Sequence, residues 1–334
     1  MAVTAALERG DVRSQVRDYL RAEGGGQMTI RVADTVVAEA ADADADGLVL
    51  SAQTAFRLYC AAKPVFPYVL RQEGLLADGS GEQQTELRLL FAHRRDLRDL
   101  PLLALARPSR CYDVGLLRSH LESETLDRTQ RFTTLSGWYT AEALLRREQV
   151  DPHALVASHL TRVCPGGLTL GLHTDNAATR CYSEQGSKRT YVLYGERSGL
   201  LARQECIATG IYGSATDLAN FVRGIEVVND ESDRPPFSSS VAGGGALGCQ
   251  ADLSTRGLAP GFTQIGHCGY LGGTIWFRDQ RCSLVVAANF VRLCDGVEPH
   301  ARFRRLKAVV ESCITASEPA SLPHSTYSTK AHKC

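Results

Sequence analysis

The sequence lacks any surplus of charge. Its 37 Lys and Arg are balanced by 37 Asp and Glu, so the formal net charge is zero. Nucleic-acid and anionic-membrane binders usually display a basic stripe, and neither partner is expected here. Aromatic residues make up only 7% of the chain and are scattered, which leaves no platform for stacking bases. No apolar run approaches the ~18 residues of a spanning helix. The first residues, MAVTAALERGDVRSQVRDYL, are charged and helical in pattern, without the apolar run or small-residue cleavage site of a secretory signal. The 11 cysteines include no Cys-x-x-Cys pair and no Cys/His set at zinc spacing, so no metal and no cofactor is expected. These absences point to a cytoplasmic protein with reduced thiols. Its oligomeric state stays open.

What is present suits a sizeable core. The 334 residues are 44% hydrophobic, enough for one large domain or two smaller ones. Asp11 to Ala22 has the spacing of an amphipathic helix, stopped by Gly24-Gly25-Gly26. MTIRVADTVVAEAA alternates and is rich in β-branched residues, which predicts one or two strands. LVLSAQTAFRLY reads as strand or extended chain leading to Cys60, and the period turns helical from Ala61 until Gly74. The stretch from Glu86 to His159 reads as mostly helical. ATGIYGSATDLANFVRG is a Gly-rich turn entering a helix, with Ser214 or Thr216 as N-cap. FTQIGHCGY, GGTIWFRD and CSLVVAANF are strong strand signals, and HARFRRLKAVVESCITA is a last amphipathic helix. Early and late strands flanking a run of helices predict an α+β architecture. The boundaries expected are an α/β domain from residues 1–85 plus 206–318, an all-helical insertion over 86–205, and a disordered tail over 319–334.

One spacing carries chemistry. Cys60 lies three residues before Lys63 in FRLYCAAKPVFPYVL, and residues at i and i+3 share a helix face. A thiol in the first helical turn sits near unpaired N–H groups, which favour a thiolate, and a buried lysine can serve as a base. Pro67 is expected to kink or loosen the helix. Alone, the pair is also what a small core cysteine and a surface lysine would look like.

The motif does not stand alone. FRLYCAAKPV resembles the Ser-x-x-Lys segment of the serine β-lactamase-like family, which takes in class C β-lactamases, D-alanyl-D-alanine peptidases, esterases and transacylases. ELRLLFAHRRDL is similar to its Leu-Leu-x-His segment, with His93 at the histidine and Asp96 where glycine is usual. GWYTAEALLRR resembles the helix after the family's tyrosine motif. GGLTLGLHTDNAATR and GIYGSATDLANF resemble two further segments. IGHCGYLGGTIWFRDQRCSLVVAANF resembles the His-x-Gly strand pair, with Asn289 at the family's asparagine. Two departures stand out. Cys60 replaces the nucleophilic serine, and no tyrosine precedes Gly137-Trp138 at the right distance. Arg131, Phe132 or Thr133 takes that place, and Tyr112 or Tyr139 would have to approach from elsewhere.

The resemblance implies a β-lactamase-like fold, an antiparallel sheet flanked by helices with a helical domain inserted, and an acyl-transfer site in the cleft. Cys60 would be the nucleophile, Lys63 the proton shuttle and His267 a polariser or relay. The N–H groups of Cys60 and Tyr270 would hold the oxyanion, with Gly269, Trp138 and Thr133 lining the substrate. Cys268 should point away from the cleft if His267 and Gly269 face it. A thiol needs less help from a base than a hydroxyl does, so the cysteine and the missing tyrosine are chemically compatible. A thioester favours amine acceptors over water. The expectation is therefore an acyltransferase joining a small-molecule donor and acceptor, of natural-product type by analogy with the transacylase branch. An esterase, amidase or cyclase using the same acyl-enzyme is the alternative. A non-catalytic relative serving in binding is a further one.

Overall fold

A computed structural model describes residues 10–43, 49–76, 81–91, 136–164, 167–171, 181–185, 188–191, 207–208, 210–225, 250–251, 264–269, 272–279, 283–294 and 298–315. Helix α1 (Gly10–Ala22) buries Val12, Val16, Tyr19 and Leu20 along one stripe. It ends as the glycine run predicts. Gly25 N–H bonds Leu20 O and Gly24 N–H bonds Arg21 O, with Gly24 at φ +88°. That is the left-handed cap that glycine adopts without a Cβ penalty.

The chain then enters a six-stranded antiparallel sheet. Its strands are β1 (Gly26–Val32), β2 (Thr35–Asp42), β8 (Gln250–Ala251), β9 (Gln264–Cys268), β10 (Thr274–Asp279) and β11 (Leu284–Phe290). The order is β2-β1-β11-β10-β9-β8, so the early hairpin zips onto the late strands through β1 and β11. Gly26 lies so close to β11 that a Cβ would meet Asn289 O at 2.2 Å.

Both sheet faces are covered, which explains why LVVAANF is apolar almost throughout. Met28, Ile30, Ile275, Phe277, Val286 and Ala288 pack against α1 and the final helix α7 (Glu298–Thr315). On the other face, Trp276, Val285 and Ala287 join a larger core. Helix α6 (Ala215–Gly224) packs on that face, with Ser214 as N-cap in a capping box with Asp217. Thr216, the other candidate cap, bonds the Thr29 and Glu39 side chains instead.

Three further helices build the flank: α3 (Glu82–Phe91), α4 (Ser136–Arg147) and α5 (Pro152–Val163). Helix α4 crosses α3 closely, since a Cβ at Gly137 would meet Leu90 O at 2.9 Å. Asp151 caps α5 by accepting from His153 N and Ala154 N, with Pro152 in the first turn.

Several expectations change. The stretch 86–205 is not all-helical. It contributes β4 (Thr169–Leu170), which pairs with β7 (Ile211–Gly213), and a hairpin of β5 (Tyr182–Gln185) and β6 (Lys188–Tyr191). Strand β7 also pairs with β3 (Phe56–Arg57), the only strand formed by LVLSAQTAFRLY among its described residues, and β5 runs parallel to β12 (Arg292–Leu293). The α-helix after Cys60 is α2 (Val65–Gln72) and starts later than Ala61. Pro67 therefore falls in its first turn, where its missing N–H breaks no helical bond, and the expected kink has no cause there. Gly74, at φ +73°, follows the end of α2 as expected. The tail 319–334 falls outside the described residues.

Candidate active site

The site grows from the turn that joins β3 to α2. Pairing with β7 fixes the approach, and Leu58 N–H continues it by bonding Ile211 O at 2.9 Å. Tyr59 then takes φ +50°, a costly conformation for a bulky residue, and a 3₁₀ turn follows over Tyr59–Ala62. Ala61 N–H bonds Leu58 O and Lys63 N–H bonds Cys60 O, both at 3.1 Å. In a 3₁₀ turn, side chains at i and i+3 eclipse, which sets Cys60 and Lys63 on one side. Tyr59, Ala61, Ala62 and Lys63 are buried, whereas Cys60 is partly exposed.

Two tryptophans grip this turn. Pro67 has no N–H to give the carbonyl four residues back, Lys63 O. The indole N–H of Trp138 donates to it instead, at 3.1 Å. Trp276, from β10, donates to Ala61 O at 2.9 Å. The Lys63 ammonium lies 4.8 Å from the Trp138 ring centroid, within cation–π range. Trp138 is fully buried, so its expected place on the substrate-lining surface is corrected. Its ring and N–H are spent on holding Lys63 and the turn. Trp138→Phe keeps an aromatic face but strands a buried carbonyl, and should cost about 1–3 kcal/mol of stability in urea unfolding. A change under a few tenths of a kcal/mol would show that the indole bond does not matter.

The sheet supplies the other wall. Strands β9 and β10 both touch the 3₁₀ turn. His267 pairs with Trp276 and shares its face, towards the turn. Cys268 pairs with Ile275 and lies on the opposite face. A Cβ on Gly269 would sit 3.1 Å from Leu58 O and 3.5 Å from Ala61 Cβ, so any side chain there would press on the turn. His267 is buried, and its Nδ1 lies 3.1 Å from Cys268 O. A carbonyl only accepts, so Nδ1 carries a proton in this contact.

The thiols differ in setting. Burial pushes the Cys268 thiol up to about 12, with Cys294 and Cys60 adding to the rise and Arg302 opposing it. Burial likewise lifts Cys181 to about 12, against a hydrogen bond from Tyr59. Cys164 is raised by burial and by Asp217. Among the described residues, no group of three His, Cys, Asp or Glu side chains is placed to hold a metal.

Thus Cys60, Lys63, His267 and Gly269 converge on one turn and the strand beside it. Thr133, Tyr270, His93, Asp96 and Tyr112 lie outside the described residues. Tyr139 is buried in the helical core. Sequence reasoning missed the two indole bonds and a buried polar row across β1, β11 and β10. There, Gln27 faces Asn289 and Asn289 faces Thr274, whose hydroxyl donates to Asn289 Oδ1 at 2.9 Å. It also missed Glu142, fully buried, which accepts from Ile207 N and meets His153 Nε2 at 3.1 Å. A polar residue inside an apolar stripe was the only available signal.

The arrangement is that of the serine β-lactamase-like fold. Similar solved structures include a D-amino acid amidase from Ochrobactrum anthropi SV3 complexed with L-phenylalanine amide, at TM-score 0.62 and 11% identity, covering 95% of this chain and 100% of that one. EstCE1, described as a hydrolase with promiscuous acyltransferase activity, matches at TM-score 0.61 and 15% identity, covering 94% and 98%. A penicillin-binding protein homologue from Caulobacter crescentus matches at 0.63 and 15%, covering 91% and 98%. At such identities the likeness establishes the fold. No family model matches the sequence, and no curated protein matches it. No helix among the described residues is long and apolar enough to cross a membrane.

Proposed function

We propose that the protein is an acyltransferase that works through a thioester on Cys60, taking small-molecule donors and acceptors of the kind used in natural-product assembly. The reading is supported above all by the exposure of Cys60 on a turn whose other residues, Lys63 included, are buried. The Cys60 thiolate attacks the donor carbonyl, forming a C–S bond. The leaving group departs with a proton passed on by Lys63. An amine acceptor then attacks the thioester, its C–N bond forms as C–S breaks, and its proton returns to Lys63. His267, on the sheet face towards the turn, acts as polariser or relay. Backbone N–H groups of Cys60 and Tyr270 are the oxyanion donors that the family resemblance implies. Hydrolysis of the same acyl-enzyme is the second reading, favoured by the amidase and esterase among the fold neighbours.

The test is acyl capture. Incubation with a p-nitrophenyl ester, an acid quench and peptide mapping should find the acyl group on Cys60. Iodoacetamide should alkylate Cys60 faster than any other cysteine and block acylation. An added amine should divert the acyl group into an amide if transfer is the activity, and leave free acid as the product if hydrolysis is. Uniform slow alkylation with no acyl adduct would sink the nucleophile reading and favour a binding protein.

A further inference from the structure

Arg302 lies on the apolar stripe of α7, beside Phe303 and one turn from Leu306, and its side chain is fully buried. Taking a guanidinium out of water costs several kcal/mol unless its donors are matched. Here they are. Nε donates to Glu23 Oε2 at 2.9 Å and Nη2 to Glu23 O at 3.4 Å. Nη1 donates to Arg292 O at 2.7 Å and to Gly272 O at 3.1 Å. The guanidinium carbon stands 4.4 Å from the Phe290 ring centroid.

An apolar side chain of similar volume often holds such a position as well as a buried ion pair does. Packing alone therefore does not explain the charge. What an apolar group lacks is a grip on Gly272 O. That carbonyl belongs to the connection between β9 and β10, which holds Gly269, Gly272 and Gly273 and has Gly272 at φ +68°. Glycines make such a connection loose unless something outside it supplies order. From Gly272 the bonds run on towards the site. Gly272 N–H donates to Gly269 O at 3.0 Å, and Gly269 N–H to Thr274 O at 2.7 Å. Gly269 in turn abuts Leu58 O and Ala61.

We infer that Arg302 is a positioning residue: by holding Gly272 O, it keeps the end of the His267 strand seated against the Cys60 turn. The inference rests on the reading of Cys60 as nucleophile, and the experiment separates the two. Arg302→Lys keeps the charge beside Glu23 but loses the fork that reaches Gly272 and Arg292 together. Hydrogen exchange by mass spectrometry should then rise at least about tenfold in the peptide spanning residues 264–277, with a smaller change in α7 itself. Acylation of Cys60 by a p-nitrophenyl ester should fall about tenfold to a hundredfold. Iodoacetamide alkylation of Cys60, which needs no carbonyl to be seated, should stay within about twofold. Arg302→Met is the second variant should the first not fold, since its stem still packs on Phe290. Unchanged exchange across residues 264–277 in either folded variant overturns the inference. So does a loss of acylation matched by an equal loss of alkylation. If the wild-type chain takes no acyl group on Cys60, the nucleophile reading fails, and the exchange result still decides whether Arg302 holds the connection.

Discussion

Cys60→Ser is expected to lower acyl uptake from a p-nitrophenyl ester by at least about a thousandfold, close to the level of Cys60→Ala. A free thiol is a few per cent ionised at neutral pH, whereas an alcohol needs a strong base at the moment of attack. The segment RTQRFTTLSGWY offers Arg131, Phe132 or Thr133 where the resemblance leads one to look for a tyrosine. Tyr139 is shut in the core. Among the described residues, the nitrogen bases near the turn are Lys63, against the Trp138 ring, and His267, buried on the sheet face towards the turn. The measurement is the nitrophenolate burst together with the intact mass of the quenched protein. A serine variant within tenfold of wild type would mean that one of these groups activates a hydroxyl unaided, and that the thiol is not the reason the site works.

Glu23→Ala should be the most destabilising single change outside the site, costing about 3–5 kcal/mol in urea unfolding. Glu23 directly follows α1 and is almost fully buried, accepting from Arg302 Nε and from both Nε and Nη2 of Arg305. Its removal strands the Arg302 guanidinium in the core. The same carboxylate predicts acid sensitivity. Burial pushes the Glu23 carboxyl up, but the Arg305 hydrogen bonds and the Arg302 charge outweigh it and hold it below its ordinary 4.5. A group depressed on folding gives stability that is fully present above its ordinary value and lost as pH falls through its folded one. Stability should thus hold between pH 7 and 5 and drop below about 4.5, with a shallower drop in Glu23→Gln. Equal slopes in the two proteins would assign the acid loss to other groups, among them Glu73, which hydrogen bonds to His159 and Arg162 hold low.

Much of the frame was legible because it is periodic. The stripe of α1, the alternating hairpin β1–β2 and the three late strands carry their period in the sequence, and Gly24 and Gly74 punctuate it by their positive φ. Strands of two to four residues such as β3, β4 and β5 are too short to show a period, which is why the 86–205 stretch read as helical. Around the site, residue identities were legible and supports were not. Cys60, Lys63 and the His267–Gly269 strand stand out by spacing and resemblance. The bond from Trp138 to Lys63 O joins distant segments, and no local pattern announces a donor 75 residues away. Arg302 and Glu23 are separated by nearly the whole chain, so neither looks buried when its own neighbourhood is read alone.

The pairing of β1 with β11 also bears on how the chain is made. During synthesis the hairpin β1–β2 leaves the ribosome early, with one edge bare until the last strands arrive. An unpaired edge is a template for wrong partners, and closing so long a loop is slow. A polypeptide stopped before Leu284 would have no strand to complete the sheet and no α7 to bring Arg302 to Glu23. The Cys60 turn thus gains its sheet wall only after β9, β10 and β11 have been made, and a nascent chain that stalls before them is exposed to aggregation.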